Sequence, residues 1–216
     1  MPAVELRGRS LGPFQTNCYI LTHDDTKTAL VIDPGEEDPW LDETLAGYTV
    51  THILLTHGHC DHIGGVDALR CRTGAPVYIH EAEEDWLTDP KLNGSVIVMG
   101  RPIVSDPPDR LLKDGDEIQF AGHSIQVMHT PGHTPGGVSF LLPGLCFCGD
   151  TVFYRSIGRT DLPGGDFQTL IASIKDRILT LPGDTRLFPG HGPVTTVKDE
   201  ARLNPFLGPN YPFFQL

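Results

Sequence analysis

At 216 residues and 39% hydrophobic content, the chain can bury a sizeable core as one domain spanning residues 1–216. Its 16 Lys and Arg face 28 Asp and Glu, a formal net charge of −12 that argues against a general nucleic-acid surface or an anionic membrane. There is no apolar run of the roughly eighteen residues that a membrane helix needs, and the first residues lack a basic then apolar leader, so the sequence predicts a cytoplasmic protein.

In chain order, residues 4–8, 17–21 and 29–33 read as three strands separated by turn residues. A helix over 39–46 follows, with Pro39 near its start. Residues 51–55 then form a β-branched strand that empties into Thr56-His57-Gly58-His59-Cys60-Asp61-His62. A glycine-led helix over 63–69, a strand over 77–80 and a short helix over 81–87 continue the alternation. The Pro-, Asp- and Gly-rich stretch 88–110 is long enough to serve as a lid or binding loop, with a plain surface excursion equally open. Residues 117–120 and 124–128 pair as a hairpin across Gly122. Cys146 and Cys148 alternate with Phe147 and so share one face of a strand. The odd number of cysteines, five, without zinc-ribbon spacing, predicts reduced thiols. After His191 come a helical stretch, 197–206, and a Pro-rich tail.

The strip from His57 to His62 packs imidazoles and a carboxylate at a strand's C-terminal end, where they serve better as metal ligands than as core. The same grammar recurs at Pro131-Gly132-His133, Gly149-Asp150 and Pro189-Gly190-His191, each an apolar run stopping at a glycine beside one His or Asp. Four strand ends can therefore present His57, His59, Asp61, His62, His133, Asp150 and His191 to one edge of the fold. These are too many ligands for one tetrahedral zinc. Two divalent ions, zinc first and iron or manganese as alternatives, would use them all. His23, His52, His80, His123 and His129 lack this context, with His52 and His129 set aside as candidate supports for the ligands.

Together, Thr-His-x-His-x-Asp-His, Pro-Gly-His-Thr-Pro-Gly, Gly-Asp-Thr and Pro-Gly-His-Gly resemble the metallo-β-lactamase superfamily. The run from Ser156 to Phe167 resembles its small, single-domain glyoxalase II-like hydrolases. The resemblance implies an α/β fold of the αββα sandwich type, two mixed β-sheets flanked by helices. It further implies His57, His59 and His133 on one ion, Asp61, His62 and His191 on the other, and Asp150 bridging. The implied activity is hydrolysis of a small thioester or ester, such as S-lactoylglutathione, by a hydroxide that the ions generate and Asp61 orients.

Departures from the relatives narrow this expectation. Zinc β-lactamases often carry Cys where Asp150 stands, so lactamase activity is not favoured. Full glyoxalase II enzymes add a C-terminal helical domain that grips glutathione, and no counterpart is expected here. Arg159 matches a glutathione-contacting Lys and is the candidate substrate-binding cation, whereas Asp161 replaces a neighbouring Tyr, so glutathione is expected to bind weakly. No arm of a tRNA-processing nuclease is visible. The alternatives carried forward are a mononuclear iron persulfide dioxygenase, a hydrolase of other esters or lactones, and a metal-binding protein without turnover.

Overall fold

The computed structural model describes residues 4–208. Residues 1–3 and the Pro-rich tail, 209–216, lie outside the described residues.

One sheet is built from β1 (Glu5–Leu11), β2 (Thr16–His23), β3 (Thr28–Ile32), β4 (Thr49–Leu54), β5 (Val77–His80) and β6 (Arg110–Leu112), side by side in chain order. Its first two pairings are antiparallel and the next three parallel. The second contains β7 (Glu117–Phe120), β8 (His123–His129), β9 (Val138–Leu142), β10 (Leu145–Gly149), β13 (Arg186–Pro189) and β14 (Thr195–Thr196), with β10 and β13 parallel. A two-stranded hairpin, β11 (Val152–Phe153) with β12 (Ser156–Ile157), stands apart.

Side-chain alternation explains how the sheets stack. In β2, Cys18 and Ile20 point outward to Leu41 and Leu45 of α1 (Pro39–Leu45) and to Val66 and Leu69 of α3 (Val66–Thr73). Tyr19 and Leu21 of the same strand point inward and meet Phe140, Phe147 and Phe188 of the second sheet. Beyond that sheet, Cys146, Cys148 and Leu187 pack on Leu170 and Ile171 of α5 (Phe167–Ser173) and on Val197 of α6 (Val197–Leu203). The result is the αββα sandwich, with apolar layers outside each sheet and between them.

Most predicted elements occur. The 117–128 hairpin closes through Ala121 and Gly122, both at positive φ (49° and 80°), as a two-residue turn matched to strand twist requires. The helix expected over 63–69 is divided: α2 (Cys60–Ile63) ends at Gly64 and Gly65, and α3 begins after them. A Cβ on Gly64 would lie 2.4 Å from the Gly35 carbonyl oxygen, so close passage past residues 34–36 requires glycine. Residues 88–110 hold only α4 (Ser95–Val98) and the start of β6, and a side-chain amide supports them from within. Buried Asn93 Nδ2 donates to the carbonyls of Trp86 and Ile103. Strand β9 and helix α5 were not expected. β9 turns into β10 through Pro143 and Gly144, the latter at φ 77°, and pairs with β8 on its other side, while α5 is preceded by Asp166, whose carboxylate caps Thr169 N at 2.7 Å.

The rings of Tyr19, Phe147 and Phe188 interlock between the sheets with centroids 5.0–5.5 Å apart. Phe147→Ala should therefore lower unfolding free energy by about 3–5 kcal/mol. Urea denaturation followed by circular dichroism checks this, with the midpoint expected to fall at an unchanged slope.

Candidate metal centre

Five imidazoles and two carboxylates meet at one edge of the sandwich. β4 delivers His57 and His59 through the turn that follows it, and α2 carries Asp61 and His62. His133 follows β8, Asp150 follows β10 and His191 follows β13. The ligand-type atoms fall into three overlapping groups, each with its atoms within 4.8 Å of one another: His57, His59 and His133; His57, His62 and Asp150; Asp61, His62 and His191. The Asp150 carboxylate faces both sides, with Oδ2 3.5 Å from His133 Nε2 and from His191 Nε2, and Oδ1 3.4 Å from His62 Nε2.

Four of the five rings are aimed by their Nδ1 atoms. His62 Nδ1 donates to Asp33 Oδ2 (3.0 Å), His133 Nδ1 to the Arg159 carbonyl (2.7 Å) and His191 Nδ1 to the Phe14 carbonyl (3.1 Å). Thr56 Oγ1 accepts from His57 Nδ1 (3.1 Å) and donates to Asp33 Oδ2 (2.6 Å). These bonds leave the Nε2 atoms free to point inward. Asp61 Oδ2 receives the Thr16 hydroxyl at 3.0 Å and lies 3.2 Å from His191 Nε2.

A fit to metal ions rests on atoms of this structure. His57 Nε2, His62 Nε2 and Asp150 Oδ1 are buried without hydrogen-bond partners, a cost of roughly 1–3 kcal/mol each if left so. His59 Nδ1 and His133 Nε2 converge to 2.9 Å. Imidazole nitrogens and carboxylate oxygens are the donors that zinc, iron(II) and manganese accept. The glycine of Pro189-Gly190-His191 is dictated by this crowding, because a Cβ there would sit 2.1 Å from Asp150 Oδ1 and 2.6 Å from His62 Cε1.

Charge follows geometry. Burial, reinforced by neighbouring imidazoles, holds His57 well below the usual histidine range and pushes His59 down to about 3, so both are neutral. Burial also lowers His133. Burial works the same way on His62, but the carboxylates of Asp150, Asp61 and Asp33 outweigh it and raise that ring. Asp150, buried, and Asp61, half-buried, are both held below the ordinary carboxylate range, chiefly by His62 and against the desolvation that would raise them.

All seven residues named from the sequence as candidate ligands converge here. Arg159 reaches the cavity beside them, but its guanidinium is held by Asp161 in a two-pronged pair (2.7 Å each), and its main-chain carbonyl is what orients His133. His52 and His129 support no ligand: His52 bonds Thr51 beside the Tyr78 ring, and His129 stacks on His80 at 4.2 Å and bonds the Pro135 carbonyl. The true orienters, Asp33 and Thr56, went unread. Asp33 was legible in principle, since Ile32-Asp33-Pro34-Gly35 repeats the grammar of an apolar strand ending at an acid near glycine. Its backbone lies in the left-handed region at φ 50°, an unusual place for a side chain and one that Asp accepts better than most.

Glu83 was missed as well. Fully buried, it accepts from Gly58 N (2.6 Å) and Gly136 N (2.7 Å), tying the turn that carries His57 and His59 to the turn after His133.

The superfamily pattern described as metallo-beta-lactamase matches residues 11–191, and the chain belongs to the metallo-β-lactamase superfamily of metallo-hydrolases. It is similar to the hydroxyacylglutathione hydrolase GloC of Haemophilus influenzae, 37% identical over 200 residues, covering 90% of this chain and 93% of that one. Among solved structures it resembles BLEG-1 B3 metallo-beta-lactamase at 47% identity (TM-score 0.90, covering 94% of this chain and 99% of that one). It also resembles TTHA1623 in a di-iron-bound form at 40% identity (TM-score 0.78, covering 93% and 100%).

Burial pushes the Glu83 carboxyl up to about 7, against its two N–H donors. Its stabilising contribution is therefore full below the ordinary Glu range near pH ~4.3 and is lost as pH rises through about 7. In metal-free protein, the stability of wild type relative to Glu83→Gln should fall between these limits. Chemical denaturation at a series of pH values checks this, and a flat difference would show that Glu83 is not protonated in the fold.

Proposed function

We propose that the protein hydrolyses small thioesters or esters with two divalent ions, zinc first and iron or manganese as alternatives. The single observation behind the two-ion reading is the Asp150 carboxylate, which lies 3.4–3.5 Å from His62, His133 and His191 and so faces both histidine groups. His57, His59 and His133 would hold one ion, and Asp61, His62 and His191 the other, with Asp150 between them. Likeness to the di-iron-bound TTHA1623 and to a hydroxyacylglutathione hydrolase supports the reading.

Divalent ions, when bound, lower the pKa of water and polarise a carbonyl oxygen. The chain's own residues do the rest. The three His57, His59 and His133 rings are kept neutral by burial, which preserves their lone pairs for coordination. Asp61, ionised and fixed by Thr16 and His191, would serve as an ion ligand and orient the attacking water. A thiolate leaving group needs little acid assistance, because a free thiol has a pKa of only about 8.5. S-lactoylglutathione, a hydroxyacylglutathione of the class in the name of the Haemophilus relative, is a first thioester to assay.

A second reading, β-lactam hydrolysis, is favoured by the 47% identity to BLEG-1. It uses the same attack of water on an acyl carbon and differs in the leaving group. Thioesters, esters, lactones and a β-lactam, offered to metal-defined enzyme, separate the two. Oxygen uptake on adding glutathione persulfide would instead favour iron-dependent oxygenation.

Metal-saturated protein should carry close to two ions per chain, and chelation should abolish thioester hydrolysis until metal is restored. Elemental analysis beside the assay checks this, and full activity at one ion per chain would exclude the two-ion reading. Asp33→Ala removes the acceptor that aims His62 and Thr56, so divalent-ion affinity should fall roughly 10- to 100-fold. Competition with a chromophoric chelator measures the loss.

A further inference from the structure

Beside the seven candidate ligands opens a cavity of about 400 Å³, at the small end of ligand sites. Its walls away from the ligands are largely apolar: Phe14, Val98, Phe153, Ile157 and Leu162. Two of these flank His191. Phe14 gives its carbonyl to His191 Nδ1, and the Phe153 ring meets the His191 ring edge-on at 6.0 Å. Val98 lies on the other side, across Gly94 from His59: a Cβ on Gly94 would lie 3.8 Å from Val98 Cγ2 and 4.0 Å from His59 Cδ2.

Phe14 and Val98 leave 39% and 38% of their surface in contact with solvent although neither fills a core. Large apolar side chains left at the mouth of a polar site mark the place where an apolar ligand group is buried.

The charge at the same mouth points in the same direction. Arg159 is the cation lining this cavity, and both prongs of its guanidinium are already taken by Asp161. A substrate carboxylate competing for it would exchange one exposed ion pair for another of similar small worth and would leave Asp161 as a like charge beside it. The formal net charge of −12 adds nothing to attract an anion.

Resting on the hydrolase reading above, we propose that this cavity is an acyl-binding site and that the preferred substrates are small neutral thioesters or esters with a hydrocarbon acyl chain or ring. Glutathione-conjugated acyl groups, anionic at the tail, are then the poorer class. The reaction is redox-neutral. Water's oxygen joins the acyl carbon, the carbon–sulfur bond breaks, the thiol leaves with the sulfur electron pair and a proton, and the acid product is released.

The test uses metal-loaded full-length protein in two arms. In the first, kcat/KM is measured for acetyl, butanoyl, hexanoyl and phenylacetyl thioesters of N-acetylcysteamine and for S-lactoylglutathione. In the second, calorimetry follows binding of S-alkyl N-acetylcysteamine thioethers, which lack the scissile carbonyl, and of S-hexylglutathione. Both series should climb about three- to fourfold per added methylene until the cavity is full, and the neutral ligands should exceed their glutathione counterparts. Phe153→Ala should lower the hexanoyl-to-acetyl ratio about tenfold, with Phe14→Ala, on an exposed turn, as the second variant. Arg159→Ala should leave the preference for hexanoyl over S-lactoylglutathione within threefold. Flat series in both arms, or S-lactoylglutathione as the best substrate with its KM raised tenfold or more by Arg159→Ala, would overturn the proposal. If neither these thioesters nor the corresponding esters are turned over, the hydrolase reading fails, and the thioether arm still decides: chain-length-dependent binding weakened by Phe153→Ala supports the apolar site, and its absence refutes it.

Discussion

Everything at this end of the molecule answers to one constraint: five imidazoles and two carboxylates share a small, mostly buried space. Buried polar atoms without partners are costly, and protonating so many adjacent rings would be costlier still. The chain meets this by giving outward-facing nitrogens partners of their own, Asp33, Thr56, the Arg159 carbonyl and the Phe14 carbonyl. What remains inside is a cluster of imidazole nitrogens and two carboxylates, the donor types that divalent cations accept.

Aim of that kind requires both sheets to be held in register, because the contributing strand ends belong to different sheets. Between them lies an apolar layer in which Tyr19, Phe147 and Phe188 interlock. The same Tyr19 sends its hydroxyl to the Pro189 carbonyl at 2.7 Å, and Asn17 N donates to the Gly190 carbonyl at 2.7 Å. The first sheet thus grips the turn that presents His191. Glu83 performs the matching task on the far side, joining the His57–His59 turn to the turn after His133. Packing energy and ligand geometry are therefore coupled through a few long-range contacts.

Around the polar centre the chemistry changes abruptly. Aromatic and aliphatic side chains rim the cavity, and Arg159, which lines it, is paired with Asp161. Under the proposed function a site built in this way would separate two tasks, with charged and imidazole groups at the reacting carbonyl and the apolar rim against what is attached to it.

The sequence by itself determined the candidate ligands and the strand ends that carry them. Apolar runs ending at Gly beside His or Asp are local patterns, and metal chemistry needs those residue types, so His57, His59, Asp61, His62, His133, Asp150 and His191 could be read without coordinates. Alternation likewise placed Cys146 and Cys148 on one face, where both pack beneath α5. Strand β9 escaped although Val138 to Leu142 is an apolar run bounded by Gly136-Gly137 and Pro143-Gly144, because so short a run carries no metal-ligand signal of its own. Only the tertiary structure decided which groups stand behind the ligands. Asp33 lies 29 positions from His62, and Glu83 lies 25 from Gly58 and 53 from Gly136, distances over which no periodicity speaks. His129 looked better placed in sequence, four residues before His133, yet its strand turns the ring toward His80. The pairing of Arg159 with Asp161 was open to the same uncertainty: two residues apart, they could have faced a substrate separately, and it is the local backbone that folds one charge onto the other.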